Sequence, residues 1–117
     1  MSILIIDDDS NIRLFLKDRL VEMGFKVSEA ASGGEALVFM DQEHPTGILL
    51  GINLSDMDGL TVLKELLEKA PHIAVIMMSA LGNIDRLEQG IREGAMDYLV
   101  KPIEVEILEQ KVRRLFG

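Results

Sequence analysis

The stretch ILIIDDDSNIRLFLKDRLVEMG, residues 3–24, decides how the rest of the chain is read. It opens on four consecutive apolar residues, Ile3 to Ile6. A short, uniformly apolar run suits a strand covered on both faces, as strands are in a parallel sheet. Three aspartates follow, Asp7, Asp8 and Asp9, and then the spacing turns helical. Ile12, Phe15, Leu16, Leu20 and Met23 fall on one stripe, and Gly24 supplies a C-terminal stop. Asp9 or Ser10 is the cap at the start of that helix. Residues 3–24 therefore read as one β-α unit.

Working outward, the same alternation recurs. Apolar runs stand at Ile48 to Leu50, Ile73 to Met78 and Tyr98 to Val100, with a more polar run, Phe25 to Ala30, that suits an edge strand. Ser32-Gly33-Gly34-Glu35 has the form of a capping box opening a helix through about Met40. Leu60, Leu63, Leu66 and Leu67 mark a third helix ended near Ala70-Pro71. Ile84, Leu87 and Ile91 mark a fourth ended at Gly94, and Val105, Leu108, Val112 and Leu115 mark the last. Strand and helix alternate five times with no linker or composition break, so residues 1–117 read as one domain. Parallel strands need right-handed helical crossovers, which puts helices on both faces of the sheet. The expected fold is α/β, a flavodoxin-like (βα)5 doubly wound sandwich with strand order 2-1-3-4-5.

Composition narrows the function. Of 117 residues 48% are apolar, enough for a core, and the absence of cysteine excludes disulfides and thiolate zinc sites. A formal charge of −8 argues against direct binding of nucleic acid. No apolar run approaches the roughly 18 residues of a membrane span, and no basic leader opens the chain, so a cytoplasmic location is expected. His44 and His72 sit beside prolines and read as surface residues. Lys111, Arg113 and Arg114 read as the solvated side of the last helix, and the seven methionines read mostly as core filling.

In a doubly wound sheet the ligand site lies at the carboxyl ends of the strands, beside the switch between strands 1 and 3. Four segments arrive there: Asp7-Asp8-Asp9, Gly51-Ile52-Asn53, Ser79-Ala80 and Lys101-Pro102. Each alone reads as a solvated turn or a surface residue. Together they form a pocket with an acidic pair, a hydroxyl and a lysine. Carboxylates gathered at one point repel, and a cation site explains them. Hard oxygen donors without His or Cys point to Mg²⁺ rather than zinc.

The run from Ile3 to Arg13 resembles the opening of a receiver domain of a bacterial two-component response regulator. Asp56-Met57-Asp58-Gly59-Leu60, Ser79-Ala80 and Tyr98-Leu99-Val100-Lys101-Pro102 match that family's later signatures in order and spacing, and the resemblance spans essentially the whole chain. It implies that Asp7 and Asp8 hold Mg²⁺ with the backbone carbonyl of Asn53. It also implies that Ser79 and Lys101 bind phosphoryl oxygens, that the Lys101-Pro102 bond is cis, and that Tyr98 moves with Ser79 on activation. A partner face on helix 4, strand 5 and helix 5 follows by the same analogy, with Arg86, Tyr98 and Glu104 on or near it. A sensor kinase or an output domain is the implied partner.

The sequence departs from the family at one decisive place. The residue in line with the phosphate-accepting aspartate is Gly51, which has no side chain to phosphorylate. Thr46, Gly47 and Ser55 depart nearby, and each glycine in a strand costs about 0.5–1 kcal/mol relative to alanine. The favoured reading is a signalling module, not an enzyme, that works by phosphorylation-independent protein–protein interaction and binds Mg²⁺ weakly or not at all. The alternative is an ordinary phosphorelay receiver carried as a Gly51 variant. A further alternative is a small Mg²⁺-dependent haloacid-dehalogenase-type phosphatase with Asp7 as nucleophile and Asp9 as acid, although the chain lacks a cap domain and a late acidic pair. Phosphorylation at Ser55 or Asp56 is disfavoured, since both lie beyond the strand end.

Overall fold

A computed structural model describes residues 1–117. Five strands, β1 (Ser2–Ile6), β2 (Lys26–Ala30), β3 (Gly47–Gly51), β4 (Ala74–Ala80) and β5 (Asp97–Lys101), alternate with five helices. The helices are α1 (Ser10–Glu22), α2 (Gly33–Gln42), α3 (Gly59–Lys69), α4 (Ile84–Arg92) and α5 (Val105–Leu115), and a 3₁₀ turn at Leu81–Asn83 leads into α4. All strand pairs are parallel, in the order β2-β1-β3-β4-β5. The expected flavodoxin-like topology is the observed one. The polar run sits at the edge as β2, pairing only with β1.

Alternation along the strands splits the core in two. Leu4, Ile6, Ile48, Leu50, Val75 and Met77 pack with Ala36, Met40, Val62, Leu63, Leu66 and Leu87 from α2, α3 and α4. Ile3, Ile5, Leu49, Ile76, Met78 and Leu99 pack on the other face with Leu16 and Leu20 of α1 and Leu108 and Val112 of α5. Because both faces are covered, Ile3 to Ile6, Ile48 to Leu50 and Ala74 to Met78 are apolar without a break, and the continuous runs follow from that. The helical stripes are narrower than the full sets suggest. In α1 only Leu16 and Leu20 are fully buried, with Ile12, Phe15 and Met23 packed partly against them.

The helix ends follow their local chemistry. Asp9, not Ser10, caps α1, accepting from the amides of Asn11 and Ile12. Ser32 caps α2 through the Glu35 amide. Gly24 and Gly94 carry φ of 96° and 121°, so both helix-to-strand turns use left-handed backbone that side chains rarely adopt.

Gly47 receives a packing reason that composition hides. A Cβ there would lie 2.5 Å from the Phe116 ring, so the bare backbone lets that ring close the lower face of the core. Methionine fills the core at most of its positions, with Met23 and Met57 packed against it as well. Met40, Met77 and Met78 are buried, whereas Met1 and Met96 are exposed.

Candidate functional site

The chain passes from β2 on one side of β1 to β3 on the other, which opens a crevice at their carboxyl ends. Asp7, the first residue after β1, is the most buried acidic residue of the protein at 2% exposure. Its Oδ1 accepts from the Asp9 amide at 3.0 Å, and its Oδ2 accepts from Lys101 Nζ at 2.8 Å. Its carbonyl accepts from Arg13 Nη1 at 2.7 Å, and Arg13 also pairs with Glu29 on β2. Asp7 is thus fixed on three sides. Sequence reasoning took Arg13 only as part of a motif and did not see this brace.

Gly51 ends β3 directly beside it. A Cβ built on Gly51 would lie 2.9 Å from Asp7 Oδ2 and 3.3 Å from the Ile6 carbonyl. The Asp7 carboxylate, bonded to Lys101, stands where a side chain at 51 would enter. A carboxylate drawn from water needs a cation nearby, and in this arrangement Lys101 supplies it.

The other candidates divide. Ser79 is buried at 3% exposure, and its Oγ accepts from Asn83 Nδ2 at 2.8 Å, a residue the motifs did not flag. Asp8 is exposed. Asn53 is exposed as well, and its side-chain Oδ1 accepts from Arg86 Nη1 at 3.0 Å. Asp9 spends its carboxylate on the N-terminus of α1. Ser55 and Asp56 are exposed, and the two oxygens of Asp56 accept from the amides of Gly33 and Gly34 at the start of α2 at 3.0 Å each. Those amides, Gly34 first and then Gly33, hold the Asp56 carboxyl below its ordinary value. The Lys101-Pro102 bond is cis. No group of three or more His, Asp or Glu side chains converges to hold a metal ion, and Asp7, the best placed oxygen donor, is already bonded to a lysine.

The three residues expected on one partner face separate into two hollows. Tyr98 and Glu104 line a hollow of about 390 Å³ with Leu81, Ile107 and Lys111. Arg86 lines another of about 360 Å³ with Asn53 to Asp58, and its guanidinium is engaged there. Lys111 is not a solvated cation. It donates to Asp97 Oδ1 and to the Tyr98 carbonyl, and it lies 5.4 Å from the centre of the Tyr98 ring. Burial opposes the ionisation of Asp97, but Lys111, the Tyr98 amide and Arg114 outweigh it, and its carboxyl is held below the ordinary value.

A doubly wound sandwich with an acidic residue, a hydroxyl and a lysine at its strand ends has the architecture of flavodoxin-like domains, whose ligands sit at that end of the sheet. The response regulator receiver domain profile matches residues 3–113, and the chain belongs to that family. It is 40% identical over 113 residues to a probable transcriptional regulator, ycf27, of Cyanophora paradoxa, covering 97% of this chain and 47% of that protein. It is 34% identical to the chemotaxis protein CheY of Bacillus subtilis, covering 96% of this chain and 94% of that one. Among solved structures, the receiver domain of NtrX from Brucella abortus superposes with a TM-score of 0.94 at 31% identity, covering 97% of each chain. The chain spans about half the length of the ycf27 relatives it matches. No helix is long and apolar enough to cross a membrane.

Proposed function

We propose that this receiver domain signals without being phosphorylated, as a protein–protein interaction module. One observation carries the reading: Gly51, in line with the family's phosphate-accepting aspartate, has no side chain, and Asp7 is neutralised by Lys101 instead. Without a carboxylate at 51 the oxygen that in the family attacks the phosphodonor is absent, and so is one ligand for a metal. The remaining donors fit a resident Mg²⁺ poorly, because Asp7 Oδ2 faces an ammonium and the other acid, Asp8, is alone. Phosphoryl transfer needs a positioned nucleophile and a cation to neutralise charge, and a carboxylate at 51 would serve as the first and as a ligand of the second. The partner face in this reading is the hollow of Tyr98, Leu81, Glu104, Ile107 and Lys111 between the β4–α4 connection and α5, and a kinase or an output domain is the partner class. A domain of this kind is not an enzyme.

The test is Mg²⁺-dependent thermal stabilisation of this chain against Gly51→Asp, which restores the carboxylate. A ligand that binds the native state raises stability by RT ln(1 + [L]/Kd), so the melting shift reports affinity directly. Millimolar Mg²⁺ is expected to leave the native chain's melting temperature nearly unchanged and to raise that of Gly51→Asp by several degrees. Equal shifts in the two proteins end the reading.

A further inference from the structure

We infer that Arg86 is a built-in latch, fastening the start of α4 to the loop between β3 and α3. Its Nη1 donates to Asn53 Oδ1 at 3.0 Å, and its Nη2 pairs with Asp58 Oδ1. Asp58 also caps α3, accepting from the Leu60 amide at 2.9 Å, so one carboxylate joins the N-terminal ends of two helices through one arginine. Three features give this contact more weight than an ordinary surface pair.

First, Arg86 stands in the first turn of α4, where the helix dipole disfavours a cation. The pairing with Asp58 offsets that cost, and the local helix gains nothing else from an arginine at that place. Second, little else secures this end of α4. The helix has no side-chain cap, Leu81 is 68% exposed, and Gly82 offers no side chain to pack. Asn83, which stands in the cap position, is turned instead to the Ser79 hydroxyl. Third, the two α4-side ties fall on Ser79 and Asn53, two groups at the candidate site. Asn83 therefore engages the Ser79 hydroxyl at the strand ends, and Arg86 holds the side chain of Asn53 rather than its backbone carbonyl.

The latch deepens the function proposed above and rests on it: a domain that signals without phosphorylation holds α4 by contacts among its own side chains. Arg86 and Asn83 hold the β4–α4 segment in one arrangement, and the neighbouring hollow around Leu81 and Tyr98 is presented in one shape. Release of Arg86, by a partner's acidic side chain competing for the guanidinium, frees this end of α4 and couples partner binding to the loop that carries Asn53.

Amide hydrogen exchange tests it on the full chain, in Arg86→Ala, Asp58→Asn and the double variant. Asparagine still caps α3, so the second variant removes the ion pair and spares the helix. A half-exposed ion pair is worth at most about 1 kcal/mol, so exchange at residues 84–88 is expected to rise about fivefold in either single variant. The double variant is expected to match Arg86→Ala, which already removes the contact that Asp58→Asn removes, and Arg86→Lys is expected to recover part of the protection. Amides of α1 and α5 stay as they were. Unchanged exchange at 84–88, a rise spread evenly over all helices, or fully additive effects each overturn the latch. None of these readouts involves phosphate or Mg²⁺, so failure here is distinguishable from failure of the proposed function.

Discussion

Asp7 is the residue on which the site depends, because its side chain is 3% exposed and its charge is balanced by one lysine. Removing one member of a buried pair leaves the other charge without compensation, which is worse than never having had the pair. Lys101→Met is therefore expected to cost about 3 kcal/mol, read from the denaturant midpoint. Asp7→Asn, which leaves only a half-exposed lysine unpaired, is expected to cost less, about 1 kcal/mol. The order of the two costs is the point: a cheaper Lys101→Met contradicts the account. Gly51 gives a second sign. Glycine to alanine in a strand ordinarily gains about 0.5–1 kcal/mol. Here the new Cβ meets Asp7 Oδ2 at 2.9 Å, and Gly51→Ala is expected to destabilise by about 1 kcal/mol.

Among the elements, β5 and α5 are joined by a polar cluster. Asp97, at the start of β5, accepts from Lys111 and Arg114 of α5, at 2.9 and 2.6 Å. Its folded pKa lies below the ordinary 3.8, so its contribution is fully present above the unfolded value and is lost as pH falls through the folded one. Asp97→Asn is expected to cost about 1 kcal/mol at pH 7 and progressively less below about pH 4. Chemical denaturation at pH 7 and at pH 3 measures that difference; a cost independent of pH contradicts it. Gly47→Val is expected to cost about 1–3 kcal/mol, because the new side chain displaces the Phe116 ring from the α5 face of the core. These two elements also mark the limits of what the sequence reveals. The strands and helices were legible because burial on both faces writes itself as unbroken apolar runs, and amphipathic helices repeat every three to four residues. Lys111 was misread as solvated because fourteen positions separate it from Asp97, and only the packing of α5 across β5 brings them together. Gly47 reads from sequence as a weak place in a strand, since nothing local says that Phe116 fills the space above it.

For the molecule as a whole, the strand-end pocket was legible as a convergence and illegible as a set of bonds. Topology alone brings Asp7, Gly51, Ser79 and Lys101 to one end of the sheet, and the sequence order of the runs is enough to derive it. That Lys101 turns to Asp7, that Asn83 holds Ser79, and that Arg86 engages the loop instead of joining the hollow around Tyr98 depend on side-chain placement over long separations. Gly51 is buried within the two-sided core. The crevice opens between β1 and β3, strands that belong to both faces, so a group at 51 stands close to the centre of the fold.

The measurement that bears most directly on the central claim is intact mass after incubation with Mg²⁺ and a small-molecule phosphodonor. The account predicts an unchanged mass for this chain and one added phosphoryl group for Gly51→Asp under the same conditions. An adduct of one phosphoryl group on the native chain, lost in acid as an acyl phosphate is, would contradict it.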